Sequence, residues 1–570
     1  MDYQRILIFM GLAVTGYLLM LAWQEDYGHQ ATRTQVESST TGTVDAFPSA
    51  PAAAAGGESP AQTLSSDTFI PNVEAAPTSV PSTLSANIVH VQTDVFSIDI
   101  DLLGGDIVSL ALPKYPAALV EPDRPLKLMD SGNQYVAQSG LIGPDGTDKN
   151  GARPNYETSA GNFELKTGQS ELEVVLTPRY PDENGVRISK IFTFKPQNYL
   201  IDVRYEITNG SNSPVNMAFF GQIKRDGRSP LFQVDNAMGL QPYLGIATRT
   251  QEDLYDKIDL SDLEDGAYQQ DFTGGYIAFL QHYFLSAWVP TQSDSVRYYA
   301  RALNVTAEPE QNLYTLGFTS GVLTVAQGGR GQLGGSFYAG PKNQATLAEI
   351  SKGLDLTVDY GFLWFIAQPL FSALTWIHSL VNNWGFAIIL LTVCVKTLLY
   401  PLSAASFKSM AKMRKLQPEM VRLKERYGED RQKFSQAMME LYKKEGANPL
   451  GGCLPILLQM PVFLALYWTL MESVELRHAP FILWIDDLSV MDPFFVLPIL
   501  MGISMYLTQM MQPEPPDPVQ AKVFKFMPII FTVFFLWFPS GLVLYWLINN
   551  ILSVLQQLYV TRQLENAPRA

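Results

Sequence analysis

Residues 526–561 read FMPIIFTVFFLWFPSGLVLYWLINNILSVLQQLYVT and contain no charged side chain. As one α-helix this stretch would extend about 54 Å, nearly twice the ~30 Å hydrocarbon core of a bilayer. The Pro-Ser-Gly sequence at 539–541 offers a natural break between two shorter helices. The stretch therefore predicts two membrane-spanning helices, residues 524–538 and 542–560.

Other apolar stretches, uncharged except for Lys396 in the second of them, predict four more spans, so that the chain is expected to contain a polytopic α-helical membrane bundle. A cleaved signal peptide is the competing interpretation of the first stretch, but the residues before the acidic positions 25 and 26 contain no clear cleavage site. The only two cysteines, Cys394 and Cys453, lie in apolar segments, which excludes a disulfide framework. The four stretches are residues 6–23, 384–400, 448–471 and 493–512.

The distribution of charge indicates which parts lie on which side of the membrane. Residues 24–361 contain 22 Lys and Arg against 40 Asp and Glu, whereas residues 401–448 contain 11 against 6. Because basic loops stay on the cytoplasmic side, residues 401–448 and both termini are predicted to be cytoplasmic, and the acidic part is predicted to lie on the outer side. A further uncharged stretch, residues 361–380, would reverse this orientation if it spanned. It is therefore predicted to lie in the membrane interface as an aromatic-rich amphipathic helix.

The acidic part divides into a tether and an all-β domain. Residues 28–87 are rich in Ala, Pro, Ser and Thr, a composition that buries too little apolar surface to fold. Residues 87–344 instead contain short alternating stretches such as VFSIDI at 95–100 and VRISKIFTF at 186–194. Alternation with period two, punctuated by Gly and Pro, predicts an all-β sandwich.

The basic segment predicts a cytoplasmic helical hairpin with a methionine-rich face. Apolar side chains recur at spacings of three and four residues on both sides of a turn near residues 427–430. Methionine gives a soft, adaptable apolar surface, suited to a docking surface for varied partners. The alternative, a seam between the two helices of the hairpin, is equally compatible with the pattern. The methionines concerned are Met410, Met413, Met420 and Met438.

Polar side chains inside the predicted spans point to a groove. Lys396 lies near the inner end of its span, with Thr392 one turn away on the same face. Gln459 lies at middle depth of another span. Because these groups concentrate in the inner half of the bundle, we expect a water-accessible groove that is open to the cytoplasm and closed outward. In the last span, one helical stripe contains Tyr545, Asn549, Ser553 and Gln556.

These polar side chains are also compatible with two simpler roles. The ammonium group of Lys396 could reach the inner headgroups by snorkelling. The stripe on the last span could serve hydrogen bonding between helices.

The sequence contains none of the common catalytic or nucleotide-binding signatures. GxxxxGK[ST], HExxH and GxSxG are absent, and no two of the five histidines have metal-ligand spacing. We therefore expect a protein that is not an enzyme, with no catalytic residue, metal or cofactor.

Three motifs resemble those of the YidC family of membrane protein insertases of Gram-negative bacteria. They are NPLGGCLP at 448–455, QMPVFLALY at 459–467 and FLWFPSGLVLYW at 535–546. The resemblance implies insertion of nascent proteins into the bacterial inner membrane, alone or beside the Sec translocon, without a nucleotide. It implies substrate contacts at Met460, Phe463 and Trp546. The family commonly has Arg in the groove, where this chain has Lys396.

The resemblance also refines the expected architecture and partners. It implies a periplasmic β-supersandwich like that of galactose mutarotases, and the basic hairpin makes the ribosome and a targeting receptor candidate partners. The expected organisation is an anchor at 1–24, a tether at 25–86, the β domain at 87–344, a connector with the interfacial helix at 345–380, a five-span core at 381–562 that includes the hairpin 402–447, and a tail at 563–570.

Two other functions compete with insertion. A membrane-anchored holdase would bind nascent spans without inserting them. A sugar-acting periplasmic enzyme would be active as the isolated β domain.

Overall fold

A computed structural model describes residues 87–179, 185–230, 242–306, 309–427, 430–445, 454–512 and 518–566. The predicted anchor and tether, residues 1–24 and 25–86, lie outside the described residues, as do positions 567–570 of the predicted tail.

The first half of the described chain is built almost entirely of β-strands. They are β1 (Ile88–Gln92), β2 (Ser97–Asp101), β3 (Asp106–Ala118), β4 (Glu121–Asp130), β5 (Val136–Ile142), β6 (Tyr156–Glu157), β7 (Asn162–Glu164), β8 (Leu172–Pro178), β9 (Val186–Phe194), β10 (Leu200–Asn209), β11 (Val215–Asp226), β12 (Gly245–Thr248), β13 (Asp256–Ile258), β14 (Tyr268–Thr273), β15 (Ile277–Leu280), β16 (Phe284–Val289), β17 (Ser295–Asn304), β18 (Leu313–Ser320), β19 (Leu323–Val325) and β20 (Arg330–Pro341).

Within the described residues these strands form two sheets. One has eleven strands in the order β14-β17-β18-β11-β5-β3-β2-β1-β7, with β4 added on β3 and β19 on β11. The other has nine strands in the order β13-β12-β15-β16-β20-β10-β9-β8-β6. Most neighbours are antiparallel, and β1 with β7 is a parallel pair.

Alternating burial explains why these segments form a sandwich. In β10 the side chains of Ile201, Val203, Tyr205 and Ile207 are buried and the residues between them are more exposed. Strands with one apolar face bury it most completely when two sheets pack face to face. The indole of Trp288 in the nine-stranded sheet meets the rings of Phe219 and Phe318 in the other, at centroid distances of 5.9 and 6.4 Å. The prediction of a β-rich part ahead of a helical part is thereby confirmed.

The second half is helical, with two short helices preceding it. The helices are α1 (Asp262–Asp265), α2 (Gln344–Ile350), α3 (Trp364–Val381), α4 (Trp384–Leu398), α5 (Tyr400–Tyr427), α6 (Arg431–Lys444), α7 (Leu454–Glu472), α8 (Val496–Met510), α9 (Pro518–Phe534) and α10 (Ser540–Asn566).

Only part of the predicted spanning pattern is evident from helix length and composition. Among the described residues, Ser540–Gln563 is long and apolar enough to cross a membrane. Helices α4 and α5 pass the same test as a pair, bent by 68° at their junction, and α8 is a shorter apolar helix. The six-span topology therefore stays a prediction.

Helix α3 occupies the segment predicted to lie in the interface. One of its faces is buried in the protein, and the other is exposed but apolar. Its buried residues are Ala367, Leu374 and Ile377. Its opposite face exposes large apolar side chains rather than charges, as a surface in contact with lipid would. These exposed residues are Trp364, Phe365, Trp376 and Leu380.

The hairpin methionines pack in a seam between helices. Helix α6 begins at the cap Asp430, whose carboxylate accepts from the amides of Gln432 and Lys433 at 3.2 and 3.1 Å. From there it packs back along α5, and the methionines fill the space between the helices together with Tyr442 and Val560. Of the two interpretations left open by the sequence, the structure supports the seam: three of the methionines are 4, 8 and 8% exposed, and Met438 is partly buried in the same seam. The three are Met410, Met413 and Met420.

A 23-residue connection, here called the α7–α8 loop (residues 473–495), has a well-defined structure of its own. Asp492 accepts from the indole Nε1 of Trp484 at 2.9 Å and from the amide of Leu497 in α8 at 2.7 Å. Its backbone is unusual, because His478, Leu483 and Phe495 have positive φ angles of 56–58°.

Candidate functional site

Lys396 lies in the last turn of α4, where its side chain turns toward α10. Asn383 caps the start of α4, where its side-chain oxygen accepts from the amide of Phe386 at 3.0 Å, and the helix ends at Leu398. Lys396 is only 8% exposed, and its Nζ donates to the hydroxyl of Ser553 at 2.8 Å. The ammonium group therefore faces a neighbouring helix and does not snorkel away from the bundle.

The charge of Lys396 has no carboxylate within ion-pair distance among the described residues. Besides the contact with Ser553, the amide Nε2 of Gln556 donates to the backbone carbonyl of Lys396 at 3.4 Å. A buried cation that lacks an opposite charge is costly, so it needs polar neighbours or water to offset its desolvation.

The neighbouring stripe on α10 supplies unsatisfied polar atoms. Ser553 donates to the backbone carbonyl of Asn549 at 2.7 Å, so its oxygen remains free to accept from Lys396. Within the described residues, Oδ1 of Asn549, Oε1 of Gln556 and Nε1 of Trp546 are buried without a hydrogen-bond partner. Buried polar atoms of this kind are where ordered water or a bound polar group is expected.

Thr392 lies on the same face as Lys396 but contributes less than the sequence suggested. It is 1% exposed, and its hydroxyl donates to the carbonyl of Ile388 in its own helix at 2.6 Å. It lies one turn before Lys396 and makes no hydrogen bond to α10.

A second group forms where α7 meets α10. The amide of Gln459 donates to the hydroxyl of Tyr545, which is 1% exposed. The ring of Phe463 packs edge-on against Trp546 at 4.5 Å and over Tyr545 at 6.5 Å. Met460, the next residue after Gln459, is 41% exposed. The predicted site residues therefore form two groups on one helix face, a cationic one around Lys396 and an aromatic one around Phe463.

The sequence interpretation missed a second polar face of α10. Asn550 donates to the hydroxyl of Ser504 in α8 at 3.1 Å, and Gln557 donates to the carbonyl of Met511 at 3.1 Å. The doublets Asn-Asn at 549–550 and Gln-Gln at 556–557 are a signal for this, because adjacent helical residues point about 100° apart. Asn549 and Gln556 lie on the stripe that faces Lys396, whereas Asn550 and Gln557 bond to α8 and to the residue that follows it.

Chemically, the first group offers a fixed cation with neutral acceptors beside it. Such a site suits an acidic or polar group that would otherwise be unpaired in the membrane. Among the described residues, no three His, Cys, Asp or Glu side chains gather as a metal site would require.

Comparison with known proteins gives consistent matches over the whole chain. Residues 376–567 match the family described as 60Kd inner membrane protein, and residues 88–373 match the YidC periplasmic domain family. The membrane protein insertase YidC of Pseudomonas entomophila is 48% identical over 571 residues, covering 100% of this chain and 99% of that protein. The one from Pseudomonas putida is 49% identical over 575 residues, with the same coverage.

Solved structures are more distant. A crystal structure of an active YidC insertase is 21% identical and covers 83% of this chain and 92% of that chain, with a TM-score of 0.38. A galactose mutarotase related enzyme from Lactobacillus acidophilus is 10% identical and covers 44% of this chain and 97% of that chain, with a TM-score of 0.29.

Proposed function

The chain belongs to the YidC family of membrane protein insertases, and we propose that it inserts nascent membrane proteins through the groove around Lys396 and Asn549. It is an inner-membrane protein with a periplasmic domain, and it works by assisting insertion rather than by catalysing a covalent reaction. The single observation that supports the groove is the buried ammonium group of Lys396, bound to a hydroxyl and not to a carboxylate.

The groove lowers the free-energy barrier for a substrate tail to cross the membrane, because it offers charged and hydrogen-bonding partners within the bilayer. An acidic or polar tail entering the bundle gains an opposite charge at Lys396, and acceptors at Asn549 and Gln556 that are otherwise unpaired. The apolar segment of the substrate passes Phe463 and Met460 and leaves sideways into lipid, driven by its own transfer free energy. No nucleotide takes part in these steps.

We propose six spans with both termini in the cytoplasm and the β-sandwich in the periplasm. In this arrangement α3 lies in the outer interface and presents its exposed aromatic face to lipid. The hairpin of α5 and α6 lies in the cytoplasm, where the net positive charge of residues 401–448 suits recruitment of the nascent chain and of the ribosome or a targeting receptor. The Sec translocon is the proposed partner for larger substrates.

The groove is tested by comparing Asn549, which lies in the proposed groove, with its neighbour Asn550, which contacts α8. In liposomes containing the purified protein and a short two-span substrate, protease protection measures the rate of insertion. Asn549→Ala removes a groove acceptor and should slow insertion several-fold. Asn550→Ala removes the same side chain from the α8 contact and should leave the insertion rate within about twofold once the amount of folded protein is matched.

The outcome that contradicts the groove is equal slowing by the two variants, because a shared loss of helix packing would then explain both. A holdase without insertion activity would give no protease-protected substrate even with the unmodified protein.

A further inference from the structure

The end of α7 is joined to the β-sandwich by a buried ion pair. Lys342 directly follows β20, and its Nζ lies 3.5 Å from Oε2 of Glu472, the last residue of α7. The two side chains are 2 and 5% exposed. A carboxylate at a helix C-terminus is disfavoured by the helix dipole, and burial adds to this cost, so Glu472 depends on Lys342 for compensation.

Further contacts extend the junction along the α7–α8 loop. His282 donates through Nε2 to the carbonyl of Met471 at 2.8 Å, and Asn343 donates to the carboxylate of Glu475 at 3.1 Å. Arg477 donates to the carbonyls of Pro116 and Ala117 in β3 at 2.9 and 3.2 Å. The start of this loop is therefore bound on the surface of the sandwich.

The remainder of the same loop binds the first turns of α4 and α10, two of the helices that line the groove. The side chain of Asn383, the cap of α4, donates to the carbonyl of Phe481 at 3.0 Å, and a Cβ on Gly385 would come within 2.0 Å of the Phe481 ring. At the start of α10, the amides of Ser540 and Gly541 donate to the carbonyls of Val490 and Leu488 at 2.7 and 2.9 Å.

We propose that the Lys342–Glu472 pair is a latch through which the β-sandwich holds the α7–α8 loop over one end of the groove and keeps that end closed. The inference rests on the proposed groove. Helices α4, α7 and α10 contribute Lys396, Gln459 and Ser553 to the site, and the loop contacts all three helices at the end away from Lys396. Lys342 and Glu472 are thus positioning residues, which set the separation of these helices without touching the substrate.

The test measures access to the groove from each side of the membrane. In the full-length chain, Cys394 and Cys453 are replaced by Ser and a reporter is introduced as Ser553→Cys, at a partly buried position beside Lys396. Membrane vesicles of either orientation are then treated with an impermeant maleimide. With the latch intact, labelling should occur from the cytoplasmic side only. Lys342→Met or Glu472→Gln should raise labelling from the periplasmic side at least fivefold, whereas Lys342→Arg should leave it low.

Two further variants separate a latch from a general loss of stability. Lys190→Met is the matched control, because Lys190 is also buried, and its Nζ donates to the carbonyls of Gly104, Gly105 and Ser139 inside the sandwich. It should leave periplasmic labelling unchanged. The exchanged pair Lys342→Glu with Glu472→Lys should restore closure.

The results also distinguish failure of the latch from failure of the groove. Labelling from the cytoplasmic side with no periplasmic increase in Lys342→Met would overturn the latch alone. An equal periplasmic increase in Lys190→Met would overturn it as well. No labelling from either side in any variant would overturn both the groove and the latch.

Discussion

At the scale of single residues, the proposed groove depends on the ammonium group of Lys396. The polar neighbours of Lys396 on α10 are neutral, so among the described residues they leave its charge without an opposite partner. Arginine would keep that charge and add donors in a planar fork, whereas alanine would remove the charge and leave Ser553 without its donor.

We predict that Lys396→Arg inserts substrates within about twofold of the unmodified rate. Lys396→Ala should slow a substrate with an acidic translocated tail about tenfold more than a matched substrate with the acids changed to amides, a difference of ~1.4 kcal/mol. Protease protection in proteoliposomes measures both rates. Ser553→Ala, which keeps the cation, is the control and should discriminate much less. Equal slowing of the two substrates by Lys396→Ala would contradict a role for the charge.

A second prediction at this scale concerns pH. Burial, with the positive charges of Lys342 and Arg477 nearby, lowers the pKa of His282 to about 3 from 6.5. Between these values the unfolded chain binds a proton that the folded chain does not, so stability falls as pH falls below 6.5. At pH 5.5 this histidine should cost about 1.4 kcal/mol relative to pH 8.

His282→Gln keeps a donor for the carbonyl of Met471 but does not titrate. The difference in free energy of unfolding between this variant and the unmodified protein should therefore change by about 1.4 kcal/mol between pH 8 and 5.5. Denaturation of the detergent-solubilised protein, followed by near-ultraviolet circular dichroism of the sandwich, gives this difference. Parallel pH profiles would show that His282 is protonated in the folded state.

At the scale of elements, the hairpin shows what periodicity can and cannot predict. The spacing of Met410, Met413 and Met420 correctly placed them on one face of a helix. The spacing could not decide what covers that face, because a seam and a docking surface need the same pattern. The structure resolves this by packing α6 and the end of α10 on it.

We predict that Met420→Ala weakens the docking of α6 by about 2 kcal/mol, because the thioether is 8% exposed and accepts from the hydroxyl of Tyr442 at 3.0 Å. Amide hydrogen exchange in α6 should then accelerate ~30-fold. Met439→Ala is the control, because Met439 lies on α6 itself and is 64% exposed. Similar acceleration in both variants would mean that the seam does not stabilise the hairpin.

The whole molecule is organised by contacts that no local pattern reveals. Segregated charge and the change of period from two to 3.6 predicted a β-rich part and a helical part. Lys342 and Glu472 lie 130 residues apart, and each looks like an ordinary residue just beyond an apolar segment, so their pairing depends on tertiary structure alone. The same holds for Val474, which follows α7 yet belongs to the core of the sandwich.

We predict that Val474→Ala destabilises the β-sandwich, although Val474 lies in the α7–α8 loop and not in the segment that forms the sheets. The side chain is 4% exposed, and removing two buried methyl groups should cost about 1 to 2 kcal/mol, or ~3 to 6 °C in the melting temperature of the sandwich. Scanning calorimetry of the full chain in detergent checks this. Ile482→Ala, at a 44% exposed position in the same loop, should have little effect. An unchanged melting temperature in Val474→Ala would show that the loop and the sandwich unfold independently.

In the α7–α8 loop, glycine would be more favourable than the residue present at one position, although glycine usually destabilises ordered segments. At Leu483, which is 80% exposed and has a φ of 58°, the side chain adds about 1 kcal/mol of steric strain and buries little in return. Glycine at this position would relieve that strain, although in most ordered segments it is destabilising. Leu483→Gly should therefore hold the loop more firmly, and the leucine leaves the proposed closure of the groove somewhat easier to release.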